Sequence, residues 1–195
     1  INAEFTTRAA EELNIPENVE MIVGGQNQET DQSFAEMGYA IIGGMILMFS
    51  IIVLMFNSFR HAVYVLAPAF LSFIGITLGL TLTGNALSFP SLMGLIALIG
   101  IVVNNSIILI DVMNHLRKEH PEWLLHQTVL EGAASRLRPI LLTTTTTVIG
   151  IIPLLFASSL WAPLALSIIF GLSFSVVITL VMIPIIYHRN PGQVD

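Results

Sequence analysis

Cysteine is absent from all 195 residues, which excludes disulfides and thiolate metal sites and leaves the redox compartment unmarked. Charge is scarce as well: Asp, Glu, Lys and Arg make up 10% of the chain, with 7 basic residues against 13 acidic ones. So few cations form no basic patch on a soluble surface, which argues against a nucleic-acid partner. No nucleophile elbow, phosphate loop or zinc-binding helix motif occurs, so neither enzymatic chemistry nor a cofactor is expected. His61, His115, His120, His126 and His188 all fall in or beside polar connections. None shares metal-ligand spacing with another ligand inside an apolar run, so no metal site is expected.

What the chain has is apolar length. Hydrophobic residues make up 54% of it, which places it in the membrane class. The net charge of -6 is misleading as an average, because the acids from Glu4 to Glu36 all precede the first apolar run or stand at its entrance. The sequence opens at Ile1 in mid-pattern, without a signal peptide, and is read as a piece of a longer chain. Asn2 to Leu13 has helical periodicity, with Phe5, Ala9, Ala10 and Leu13 on one face, and Pro16 stops it. Val19 to Val23 reads as a short strand ending at Gly24-Gly25. Neither element can build a core alone, so together they look like the end of a soluble domain, residues 1–28.

Five apolar runs follow, each long enough to cross a bilayer. Polar punctuation puts them at residues 29–56, 62–83, 88–116, 139–159 and 161–188. Gly38, Gly43 and Gly44 in the first would let another helix approach closely. Proline is expected to bend the second at Pro68, the fourth at Pro153 and the fifth at Pro184. Residues 121–137, with Leu125, Val129, Leu130 and Ala133 on one side and Glu122, Gln127 and Glu131 on the other, have the pattern of a helix lying along the membrane interface. Arg60, Arg117, Lys118, Arg136, Arg138 and Arg189 fall in alternate connections, while those around Asn85 and Ser159 carry no charge. The positive-inside rule therefore puts the N-terminal segment outside and the C-terminus in the cytoplasm.

The third run carries the chemistry. Asn104, Asn105 and Ser106 interrupt it near its middle, and Asp111 follows about two turns later. Polar groups at that depth must find partners inside the protein. Two uses are open: gluing neighbouring helices by hydrogen bonds, or lining a proton path, the usual work of intramembrane ionisable groups. Asp111 equally suits a helix-end acid paired with Arg117 or Arg136. Arg136 and Arg138 would sit about 200° apart on a helix, so that one snorkels while the other faces the bundle. In the run Thr143 to Thr147, hydroxyls can bond back to the preceding turn or, with Arg136, extend the path.

Three segments resemble the C-terminal membrane half of the resistance-nodulation-division (RND) efflux transporters. They are Gly100-Ile101-Val102-Val103-Asn104-Asn105-Ser106-Ile107-Ile108-Leu109-Ile110-Asp111, then Arg136-Leu137-Arg138-Pro139-Ile140-Leu141-Leu142-Thr143-Thr144, and the approach from Gly24-Gly25 to Phe34. Their order and spacing match, and the resemblance covers essentially the whole chain. It implies an all-α polytopic membrane protein of five transmembrane helices plus an interfacial helix. A short α/β remnant of a periplasmic porter domain would stand at the N-terminus. The five spans would be the eighth to twelfth of twelve.

The family exports hydrophobic and amphiphilic compounds by antiport against protons, as inner-membrane homotrimers with a periplasmic adaptor and an outer-membrane channel. Its relay pairs two aspartates of the fourth span with polar groups of the tenth and eleventh. The resemblance carries this role to Asn104, Asn105, Arg136 and Thr143, and Asp111 joins them as a candidate. Many drug exporters have Lys followed by Asn on the tenth span; here Asn104 takes the Lys position, and an amide cannot change charge during the cycle. The expected function is the drug/proton antiport of a multidrug efflux pump, this chain supplying half of the relay bundle in the lipid bilayer and the aspartates coming from an N-terminal half. The alternative is a non-transporting membrane scaffold, or a protein-export or lipid-export subunit of the same superfamily.

Overall fold

The structure, a computed structural model, describes residues 26–191. The helix and strand expected before Gly25, and with them the α/β remnant, lie outside the described residues. The chain divides into two compact units, residues 1–40 and 41–195, and the bundle belongs to the second. The described helices are α1 (Gln26–Phe56), α2 (Phe59–Leu82), α3 (Phe89–Glu119), α4 (Leu125–Ile151), the single turn α5 (Leu154–Ala157) and α6 (Ala162–Arg189). Among the described residues there is no strand, and five helical stretches are long and apolar enough to span a membrane. The chain is an all-α polytopic membrane protein.

Local chemistry sets the breaks. Between α1 and α2, Asn57 takes a positive φ of 47°, which asparagine tolerates better than most residues. Ser58 then caps α2, its Oγ accepting from the His61 N–H at 3.5 Å. Gly84, at φ 69°, turns the chain between α2 and α3. Ser91 Oγ opens α3 by donating to the Ser88 carbonyl at 2.6 Å and accepting from the Ser88 N–H at 2.8 Å. Arg117 and Lys118 occupy the last turn of α3, and His188 and Arg189 that of α6, where cations favour the helix dipole.

The amphipathic stretch and the fourth apolar run form one helix. α4 continues from Leu125 through Pro139 to Ile151. The proline ring fixes φ near the helical value and removes one backbone donor, and the helix absorbs that loss. Pro68 and Pro184 likewise lie inside α2 and α6. The break comes at the other proline, where Pro153 stands as N-cap of α5.

α6 is the hub, packing against α2, α3, α4 and α5. Lipid tails are as apolar as leucine, so close van der Waals fit rather than the hydrophobic effect holds such helices together. Gly79 lies against the Phe170 ring, and Gly171 against Leu98 and Ile76, so closely that a Cβ at either position would collide with those side chains. Half of the most apolar window of α2 is buried, and 44% of that of α3 and of α6. For α1 and for the stretch containing α4 the figure is 6%, so these two leave most of their surface to lipid or to other helices.

Candidate functional site

α3 presents two different polar faces. Asn105 and Ser106 point inward, 8% and 0% exposed, and Ser106 Oγ donates to the Val102 carbonyl at 2.9 Å. Asn104 and Asp111, spaced seven residues apart and so nearly in line along the helix, lie on the exposed side with Gly100 and Ile108. A Cβ on Gly100 would meet nothing within 4 Å. Within this chain the Gly100–Asp111 stripe is uncovered.

On α4, Arg136 is half-buried and Arg138 exposed. α3 and α4 approach where Gly132 meets Met113 Cγ, 2.9 Å from an ideal Cβ, and Leu116, one turn before Arg136. Beyond Pro139 the threonines satisfy their own hydroxyls. Thr143 Oγ1 donates to the Pro139 carbonyl at 2.9 Å, Thr144 to Ile140 at 2.8 Å, Thr145 to Leu141 at 2.8 Å and Thr147 to Thr143 at 2.8 Å. Each leaves its hydroxyl oxygen able to accept a further bond, and Thr143 is exposed.

Among the described residues, no hydrogen bond or ion pair joins Asn104, Asn105, Asp111, Arg136 and Thr143 to one another. Asp111 pairs with neither Arg117 nor Arg136, and Arg117 Nη1 donates to the Pro191 carbonyl at 3.2 Å. The groups are placed on α3 and α4 but not assembled by this chain alone.

Two features escape a reading of the sequence. Tyr187 near the end of α6, fully buried, donates its hydroxyl to Asn114 Oδ1 of α3 at 2.6 Å. His61, beside a polar connection in the sequence, is 2% exposed. The aromatic spacing of Phe56, His61 and Tyr64 was the available hint for His61. Nothing local pairs Asn114 with a residue 73 positions away.

The AcrB/AcrD/AcrF family matches residues 2–189. The chain belongs to that family, the RND transporters. This RND segment is similar to the swarming motility protein SwrC of Bacillus subtilis (strain 168), at 31% identity over 183 residues, 91% of the chain and 17% of that protein. It is also similar to crystal structures of a heavy metal efflux pump. Crystal form II superposes with a TM-score of 0.75 at 28% identity, covering 98% of this chain and 19% of that one. Crystal form I gives 0.71 at 29% identity, covering 95% and 19%. The RND chain therefore spans about a fifth of the length of the proteins it matches.

Proposed function

We propose that this chain supplies half of the proton-relay bundle of an RND pump that exports hydrophobic or amphiphilic compounds by antiport against protons. The observation that carries the reading is the uncovered stripe of α3. Asn104 and Asp111 on an otherwise apolar helix face cannot be satisfied by lipid, so helices beyond this chain, bearing complementary polar groups, cover them. Carboxylates on those helices exchange partners among Asn104, Asn105, Arg136, Thr143 and Asp111 as they gain and lose protons. Two alternative sets of hydrogen bonds make the half-bundles a bistable element biased by local charge.

The bundle lies in the bacterial inner membrane, with the N-terminal segment periplasmic and the C-terminus cytoplasmic, as the basic connections favour. The pump is a homotrimer working with a periplasmic adaptor and an outer-membrane channel. The similarity to a heavy metal efflux pump supports a second substrate class, metal ions. The test is export by cells carrying the full-length gene, with and without a protonophore, against amphiphilic dyes and against metal salts. Amphiphile export that the protonophore stops, and that R136A abolishes without lowering membrane insertion, is the expected result. Protection against metal salts alone favours the second class, and an R136A pump that exports normally overturns the relay.

A further inference from the structure

Proton coupling as proposed leaves a buried imidazole unused. His61, in the first turn of α2, is 2% exposed, and neither Nδ1 nor Nε2 has a hydrogen-bond partner. Its ring sits in an aromatic box. The Phe56 ring of α1 lies 5.7 Å away, that of Tyr64 of α2 6.2 Å away and edge-on, and that of Tyr187 of α6 6.2 Å away. Its side chain makes ring contacts and no hydrogen bond.

The box is also where α1 is fastened. Ile52, Phe49 and Phe56 join the core cluster, and Phe49 reaches Phe59 across the turn at 6.2 Å. A neutral imidazole fits this box as a flat, mostly apolar ring. A protonated one carries two donors and needs acceptors for both. The titratable or charged groups around it supply none that is anionic. They are Tyr64 from α2, Tyr187 from α6, whose hydroxyl is already given to Asn114, and Arg117 of α3 beside that hydroxyl. α1 contributes uncharged Phe56, and Arg60 is exposed. Cation–π attraction from the ring faces falls short of the desolvation penalty of a buried ion.

We infer that His61 is a protonation latch: neutral, it fastens the α1–α2 turn to α6, and protonated, it leaves the box and frees the end of α1. The closed box is then favoured above the pH at which a water-exposed imidazole titrates and is lost as pH falls through it. The proton arrives from the side of the membrane that carries the α1–α2 turn, separately from the relay on α3 and α4.

Cysteine accessibility in the full-length transporter, with any cysteine outside this chain replaced by serine, tests the latch. Ala62, beside His61 and 0% exposed, is replaced in A62C. Its labelling by a membrane-impermeant thiol reagent is divided by that of R60C, an exposed neighbour, which cancels thiol ionisation. Between pH 7.5 and pH 5.5 the ratio is expected to rise about tenfold, since a free imidazole titrates near pH 6.5. With H61F, an uncharged ring in the same box, the ratio stays flat; H61L serves if H61F fails to insert. A flat ratio with His61 present, or the same rise without it, overturns the latch. Export assays are not involved, so the outcome is independent of the relay.

Discussion

The Tyr187 hydroxyl donates to Asn114 Oδ1 at 2.6 Å, linking the hub helix α6 to α3 three residues beyond Asp111. A single neutral hydrogen bond is worth about 1 kcal/mol net, and this one fixes the relative rotation of the two helices at the end where the basic residues gather. The double-mutant cycle of Y187F and N114A, followed by SDS unfolding of the purified full-length protein, is expected to show a coupling of about 1 kcal/mol. A coupling near zero would mean that lipid headgroups or water replace the bond.

Glycine substitutions separate faces packed within the chain from open ones. G79A drives a methyl group into the Phe170 ring, and G171A drives one into Leu98 and Ile76. Each is expected to destabilise by roughly 1–3 kcal/mol through overpacking. G150A meets nothing of this chain within 4 Å, so any loss there in the same unfolding assay reports helices beyond this chain packed on α4. Wild-type stability in both G79A and G171A would contradict the packing.

Asn104 discriminates by the sign of charge. If carboxylates from other helices cover the α3 stripe, a cation at this position can pair with them, while a further acid is repelled. N104K is expected to retain export and N104D to lose it, with equal membrane levels by immunoblot. Identical behaviour of the two variants would remove Asn104 from the relay.

Thr143 separates back-bonding from relay chemistry. Its hydroxyl donates to Pro139 at 2.9 Å, a contact that T143S keeps and T143V loses. If the contact only satisfies the helix, T143V exports normally, because valine leaves no buried donor unpaired. The relay reading expects proton-coupled export to fall at least about tenfold in T143V, a barrier increase of roughly 1.4 kcal/mol, and to remain in T143S.

Composition and spacing alone made the membrane class and the five apolar helices legible. A bilayer core admits only backbone that satisfies itself, and apolar runs of spanning length have no other stable form. The family was equally legible, since Gly100 to Asp111 and Arg136 to Thr144 keep their order and separation whatever surrounds them. Breaks at proline were harder to place. Pro139 and Pro153 look alike as breakers, yet α4 runs through the first and stops at the second. A helix interior accepts one lost donor when its neighbouring turns continue, and no local rule states when they will.

The polar residues of α3 were visible as a cluster, but their division into faces was not. Asn104 and Asn105 are adjacent in sequence, and helical geometry turns them about 100° apart. Only the packing of α2, α4 and α6 around α3 decides that Asn105 is buried while Asn104 faces outward. The same holds for the pair Asn114–Tyr187 and for the box around His61. Each depends on which helices meet, and that is set by close-packed glycines such as Gly79 and Gly171. The sequence by itself determined that the chain is a set of membrane helices with a polar cluster in an otherwise apolar run. Tertiary structure alone decided which of those groups are satisfied within the chain and which are turned outward, because rotation about a helix axis is fixed by its neighbours and not by its own residues.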